Sequence, residues 1–258
     1  MDIKKKIRIT VQISLCVAGW FAVMKLCTCG VEKLGSTWPG LLVKILTTMV
    51  IPYGILLPIV GIFMKKMEAP EGLGQRKLKP GQLFEILVIQ SGLSIFLMFV
   101  TNILLTVSGV TVGNQLAGQV SDYFVFYIIL LLLFNPIAEE YFFRGLVLKH
   151  LRVLGEREAI LISACLFALP HVFSQGIAQM FYTFILGMVW GAVMVRTNNL
   201  KYVILLHAFS NLYGMFLPLM LMQSQAGMVI YMALWIVIVP VSAVVLCIRK
   251  KRCFFSEK

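Results

Sequence analysis

YFVFYIILLLLFNPIAEEYFFRGLV, residues 123–147, is the stretch on which the reading of this chain turns. It opens with an unbroken apolar run, and as a whole it exceeds the roughly 20 residues that a helix needs to cross a bilayer. Its second half nevertheless carries Glu139, Glu140 and Arg144. An ionisable side chain in hydrocarbon costs about 2.5–3.5 kcal/mol on insertion scales, so each such group needs a partner or a task. The stretch predicts a membrane-embedded helix and marks where chemistry should be sought.

Working outward, apolar stretches of the same kind lie at 9–27, 41–64, 83–107, 158–173, 177–195, 200–221 and 226–248. The expected fold is therefore all-α, a polytopic transmembrane bundle of about eight spans. Composition agrees, because 60% of residues are hydrophobic, 13% are charged and the mean hydropathy is +0.91, well beyond an ordinary soluble domain. The N-terminus reads as a retained first span, since its apolar run is interrupted by Lys25 and lacks a small-x-small cleavage site. We expect three N-terminal helices and a basic loop over 1–110, and a core carrying the candidate site over 111–258.

The net charge of +12 does not point to nucleic acid, because the cations sit in short segments between apolar stretches. Lys4, Lys5, Lys6 and Arg8 precede the first span, and Lys65, Lys66, Arg76, Lys77 and Lys79 follow the second. Lys149, Arg152 and Arg157 follow the fourth, Arg196 and Lys201 the sixth, and Arg249, Lys250, Lys251, Arg252 and Lys258 the last. The alternate connections carry Lys33 and, around 108–122, 174–176 and 222–226, no Lys or Arg. By the positive-inside rule both termini are cytoplasmic, and the expected location is a multi-pass cell membrane protein with lipid as its main partner. Cys16, Cys165, Cys247 and Cys253 fit no disulfide framework, Cys27 and Cys29 could cap, pair or bind metal but lack CxxC spacing and receive no role, and Lys25, Lys44 and Glu85 lie near span ends where snorkelling suffices.

The remaining polar groups fall in the second half. Glu140 and Arg144 are four apart and share a helix face, whereas Glu139 points about 100° away. Glu139 has Phe142 and Phe143 as its i+3 and i+4 neighbours, a setting that disfavours its charge unless a metal intervenes and that suits a general base. The alternative is a charge cluster of both acids with Arg144 at the membrane edge. His171 ends FALPH, beside a helix-bending Pro170, and His207 and Asn211 share a face in LLHAFSN. His150 lies among cations in an expected loop and receives no role. At about 1.5 Å per residue, Glu139 and His207 both stand about 10 Å from the cytoplasmic boundary and Asn211 slightly deeper, but His171 stands about 20 Å away. His171 joins them only if the fifth span begins later than 158.

No Ser-His-Asp set, GxSxG elbow or HExxH motif accompanies these residues. A carboxylate with two imidazoles suits a divalent ion such as Zn2+ and its bound water, or a metal-free scheme in which Glu139 and a histidine activate water. Asn211 offers an N–H to an oxyanion in either scheme.

EEYFFRG at 139–145, FALPH at 167–171 and HAFSN at 207–211 fit EExxxR, FxxxH and HxxxN in order. With them the chain resembles the CAAX protease and bacteriocin-processing family, also called Abi or type II CAAX prenyl endopeptidases, which are intramembrane metalloproteases. The resemblance covers about 120–220. It implies that Glu139 activates water, that His171 and His207 stand at the site, with Glu139, as candidate metal ligands, and that Asn211 stabilises the oxyanion. Glu140 and Arg144 become a supporting ion pair. The expected substrate is a hydrophobic or membrane-associated peptide rather than a prenylated one, in a bacterial plasma membrane. The rival readings are a non-catalytic immunity or partner protein and a small proton-coupled transporter.

Overall fold

The computed structural model describes residues 3–31, 38–67, 69–70, 74–110 and 124–249. Lys33, most of the 108–122 connection, and the tail from Lys250 with Cys253 lie outside the described residues. Among the described residues the regular secondary structure is all helical, with no strand. Helices long and apolar enough to cross a membrane are α1 (Ile3–Val31), α2 (Leu42–Met64), α3 (Pro80–Val107), α4 (Phe124–Leu154), α7 (Ile177–Thr197), α8 (Leu200–Leu221) and α9 (Gln225–Arg249). Between α4 and α7 lie two shorter helices, α5 (Glu156–Ala168) and α6 (His171–Gln175).

The stretch expected as a fifth span, 158–173, is thus a 13-residue helix, a turn and a five-residue helix. Pro170 is the cause, since it brings no N–H to the ladder and its ring crowds the preceding turn. α4 in turn outruns its expected end at 147: Leu148 and Leu151 are fully buried, and the helix stops only at Gly155, whose φ of +127° suits glycine. His150 is therefore not in a loop. It is buried in the last turns of α4, with Nδ1 donating to Leu146 O at 2.7 Å.

The chain divides into two compact units. The first joins Met1–Glu71 to Gly145–Ala159; in it the Trp20 indole of α1 donates to Pro52 O of α2 at 3.1 Å. The second joins Gly72–Arg144 to Ile160–Lys258 and holds every candidate site residue.

Small residues set the close approaches within the second unit. Gly187 and Gly191 of α7 form a GxxxG face, the kind that lets backbones meet in a membrane. A Cβ on Gly187 would stand 3.0 Å from Ala164 Cα, and one on Gly191 3.1 Å from Ile160 Cγ2, both on α5. A Cβ on Gly92 of α3 would stand 2.5 Å from Ala243 Cβ on α9. Asn198, left-handed at φ 47°, ends α7, and Asn199 caps α8 by accepting from Lys201 N at 3.0 Å. That tight turn brings α7 and α8 back alongside one another, so Trp190 and His207 can meet.

Candidate active site

A cavity of about 260 Å3 within the second unit is lined by Glu139, His171, His207 and Asn211 together, with Phe167 and Trp190 among its walls. α4, α6 and α8 thus bring to one space the four side chains singled out in the sequence. His171 joins the other three because the chain turns at Leu169–Pro170. The backbone bonds pass from Leu169 N–H on Cys165 O to Val172 N–H on Leu169 O.

The two adjacent glutamates live differently. Glu140 is fully buried, and its Oε1 accepts from Arg144 Nη1 at 3.0 Å and from His207 Nδ1 at 2.9 Å. Arg144 is also fully buried; its guanidinium lies 4.5 Å from the Phe167 ring centroid and 5.2 Å from that of Trp190, with Nη2 reaching Gly187 O at 3.5 Å. Glu140 therefore does more than pair with Arg144, because it also holds the imidazole of His207. Glu139 faces the cavity with its side chain 18% exposed, and its Oε2 stands 4.0 Å from His207 Nε2.

These contacts set both imidazole tautomers. A carboxylate paired with Arg144 and a backbone carbonyl can only accept, so Nδ1 carries the proton in His207, facing Glu140, and in His171, facing Phe167 O at 3.0 Å. In the neutral form of either ring, Nε2 then keeps its lone pair. An Nδ1–H held by a carboxylate or carbonyl is the usual support of a metal-bound histidine, so the donor chemistry fits a divalent ion. The spacing is looser: among the described residues no three His, Cys, Asp or Glu side chains stand close enough together to grip one.

Asn211 is placed by an interruption in α4. The helix there is widened to π geometry over Leu130–Phe134, and Asn135 N–H bonds to Leu130 O. The next acceptor in that register is Leu131 O, to which Pro136 brings no N–H. Asn211 Nδ2 donates to it instead, at 2.6 Å. One amide proton of Asn211 is thereby used, and the side chain also lines the cavity.

The sequence reading missed Trp190 and Gln90. Trp190 of α7 stacks on His207 with centroids 4.4 Å apart at 23°, and Gln90 of α3 accepts from Trp190 Nε1 at 2.8 Å. Screening apolar spans for ionisable groups alone passes over a neutral amide. Gln90 in EILVIQSGLSIF was the signal that could have found it.

Residues 121–213 match the family model described as type II CAAX prenyl endopeptidase Rce1-like. The matched segment contains the EEYFFRG, FALPH and HAFSN motifs and every one of Glu139, His171, His207 and Asn211, and over it the chain is similar to that family. No curated protein and no solved structure matches the chain.

Proposed function

We propose that this chain is an intramembrane endopeptidase that hydrolyses a peptide bond in a hydrophobic or membrane-associated peptide. The observation that carries the reading is the facing pair Glu139 Oε2 and His207 Nε2, 4.0 Å apart at the cavity wall. Both atoms are acceptors, and two acceptors sharing the protons of one water stand about 4.5 Å apart at ordinary hydrogen-bond lengths. A water donating to both is held for attack, with Glu139 as its base.

Glu139 takes a proton as the water oxygen attacks the scissile carbonyl carbon, and the C=O electron pair moves onto oxygen. The second Asn211 N–H donates to that oxyanion, as an amide donor does in acyl transfer. Glu139 then returns the proton to the departing nitrogen as the C–N bond breaks. Glu140, paired with Arg144, keeps His207 in the tautomer whose Nε2 faces the water. His171, His207 and Glu139 are the residues that would hold a divalent ion such as zinc, which when bound supplies Lewis acidity and a more acidic water.

The test compares membrane peptides and small proteins, by mass spectrometry, from cells carrying the wild type and Glu139→Ala. New chain ends that depend on Glu139 are expected. The purified proteins, in phospholipid vesicles, are then given prenylated and unprenylated versions of the peptide so found; faster cleavage of the unprenylated form is expected. Full turnover by Glu139→Ala would remove Glu139 as the base. Protection or ion flux that persists without proteolysis would favour the partner or transporter readings.

A further inference from the structure

We infer that Gln90 is a positioning residue for His207, acting through Trp190; the inference rests on the peptidase reading for its catalytic consequence, but not for its geometry. A single bond from His207 Nδ1 to Glu140 fixes one point of the imidazole and leaves the ring free to swing about that line. The second constraint is the Trp190 face, stacked at 4.4 Å and 23°. Trp190 needs its own constraint, because an indole can flip or tilt about its two side-chain torsions. Gln90 Oε1 supplies it by accepting Nε1–H at 2.8 Å.

The Gln90 amide is itself held in one orientation. Its Nε2 donates to Leu206 O at 3.0 Å and to the Tyr213 hydroxyl at 3.4 Å, and the side chain is fully buried. Swapping the amide oxygen and nitrogen would set a donor against the indole N–H and an acceptor against Leu206 O, so the bonds select the observed orientation. Leu206 directly precedes His207. Gln90 thus touches both the stacking ring and the backbone from which the stacked imidazole grows, closing a ring of contacts across α3, α7 and α8. It lies outside the segment matched by the family model, so this clamp is a feature of the chain's own α3.

The experiment uses full-length protein in detergent micelles with 15N,13C-histidine. The His207 ring signals are assigned by their loss in His207→Gln, and kinetics are followed with a quenched-fluorescence peptide with an apolar core in phospholipid vesicles. In Gln90→Met, which keeps size and loses all three hydrogen bonds, the His207 ring protons should leave the shielded position that the indole face imposes. kcat should fall about 10-fold with KM unchanged, the usual size of a loss of support behind a working histidine. In Trp190→Phe, which stacks without an N–H to satisfy, adding Gln90→Met should cost much less, because two residues acting through one contact are not additive.

Unmoved His207 signals with unchanged kcat in folded Gln90→Met would overturn the clamp. A raised KM at constant kcat would also overturn it, by making Gln90 a substrate contact. Full additivity with Trp190→Phe would do the same. If the wild type cleaves nothing while the His207 signals shift as expected, the clamp stands and the peptidase reading fails.

Discussion

Glu139 and Glu140 are neighbours in sequence, yet replacing each by glutamine should give opposite results. Glu140→Gln keeps an oxygen for His207 Nδ1 but removes the only carboxylate that, among the described residues, is bonded to Arg144, whose side chain is wholly buried. Breaking one side of a buried ion pair typically costs about 3–5 kcal/mol, because a charge is left without its partner. Here the rings of Phe167 and Trp190 and the Gly187 carbonyl still face the guanidinium, and cation–π contacts contribute about 0.5–2 kcal/mol each. We therefore expect the low end, about 3 kcal/mol, or roughly 100-fold in the ratio of folded to unfolded protein. Glu139→Gln removes a carboxylate that makes no hydrogen bond among the described residues and stands 4.0 Å from His207 Nε2, so stability should change by under about 0.5 kcal/mol while cleavage disappears. Denaturant unfolding in detergent, followed by tryptophan fluorescence, separates the two. Equal stability losses, or a native-like Glu140→Gln, would refute the division of labour drawn from the geometry.

Asn211→Ala should lose both the bond to Leu131 O and the oxyanion donor; cleavage is expected to fall about 100-fold or more, with about 1–2 kcal/mol lost in unfolding. Asn211→Asp, which brings no N–H, should be at least as inactive. Gly187→Val should overpack α5 against α7 and destabilise by about 1–3 kcal/mol, read as a lower melting temperature. Gly92→Ala meets Ala243 Cβ at 2.5 Å and Val239 O at 2.8 Å; its destabilisation should be partly relieved by Ala243→Gly, since only the first of those contacts is then removed.

The spans were legible because hydrocarbon demands long apolar runs and little else does. The shared face of Glu140 and Arg144 was legible because helical spacing is rigid over four residues. Three features were not. Pro170 announced a bend, but not that the chain would turn and restart so that His171 lines the same cavity as Glu139. Pro136 announced a missing N–H, but not that Asn211, from another helix, would bond to the carbonyl beside the gap. Gln90 carries no charge, so the cost argument that exposed Glu139 and Arg144 had no purchase on it. In each case the missing information is a tertiary partner, and spacing along one helix holds none.

The shortened α5 and α6 bear on the topology that the pattern of cations leads one to expect. Arg152 and Arg157 flank the start of α5, and Arg196 and Lys201 flank the end of α7. If both clusters face the cytoplasm and α7 crosses the bilayer, then α5 and α6 must carry the chain to the far side. At about 1.5 Å per residue, α5 supplies roughly 20 Å and α6 roughly 8 Å of a hydrocarbon layer about 30 Å thick. The crossing is therefore feasible only as a broken helix. Irregular backbone at membrane depth is tolerated where its polar groups are satisfied and it borders protein or a wet cavity. Both conditions are met locally: Phe173 N–H bonds to Pro170 O and Gly176 N–H to Val172 O, and His171 and Gln175 line the cavity. A reporter fused after residue 175 should accordingly read as non-cytoplasmic, and one fused after 197 as cytoplasmic. A cytoplasmic signal after 175 with a non-cytoplasmic one after 197 would make α5 and α6 a re-entrant pair. It would also place the two termini on opposite faces, overturning the assignment of both to the cytoplasm.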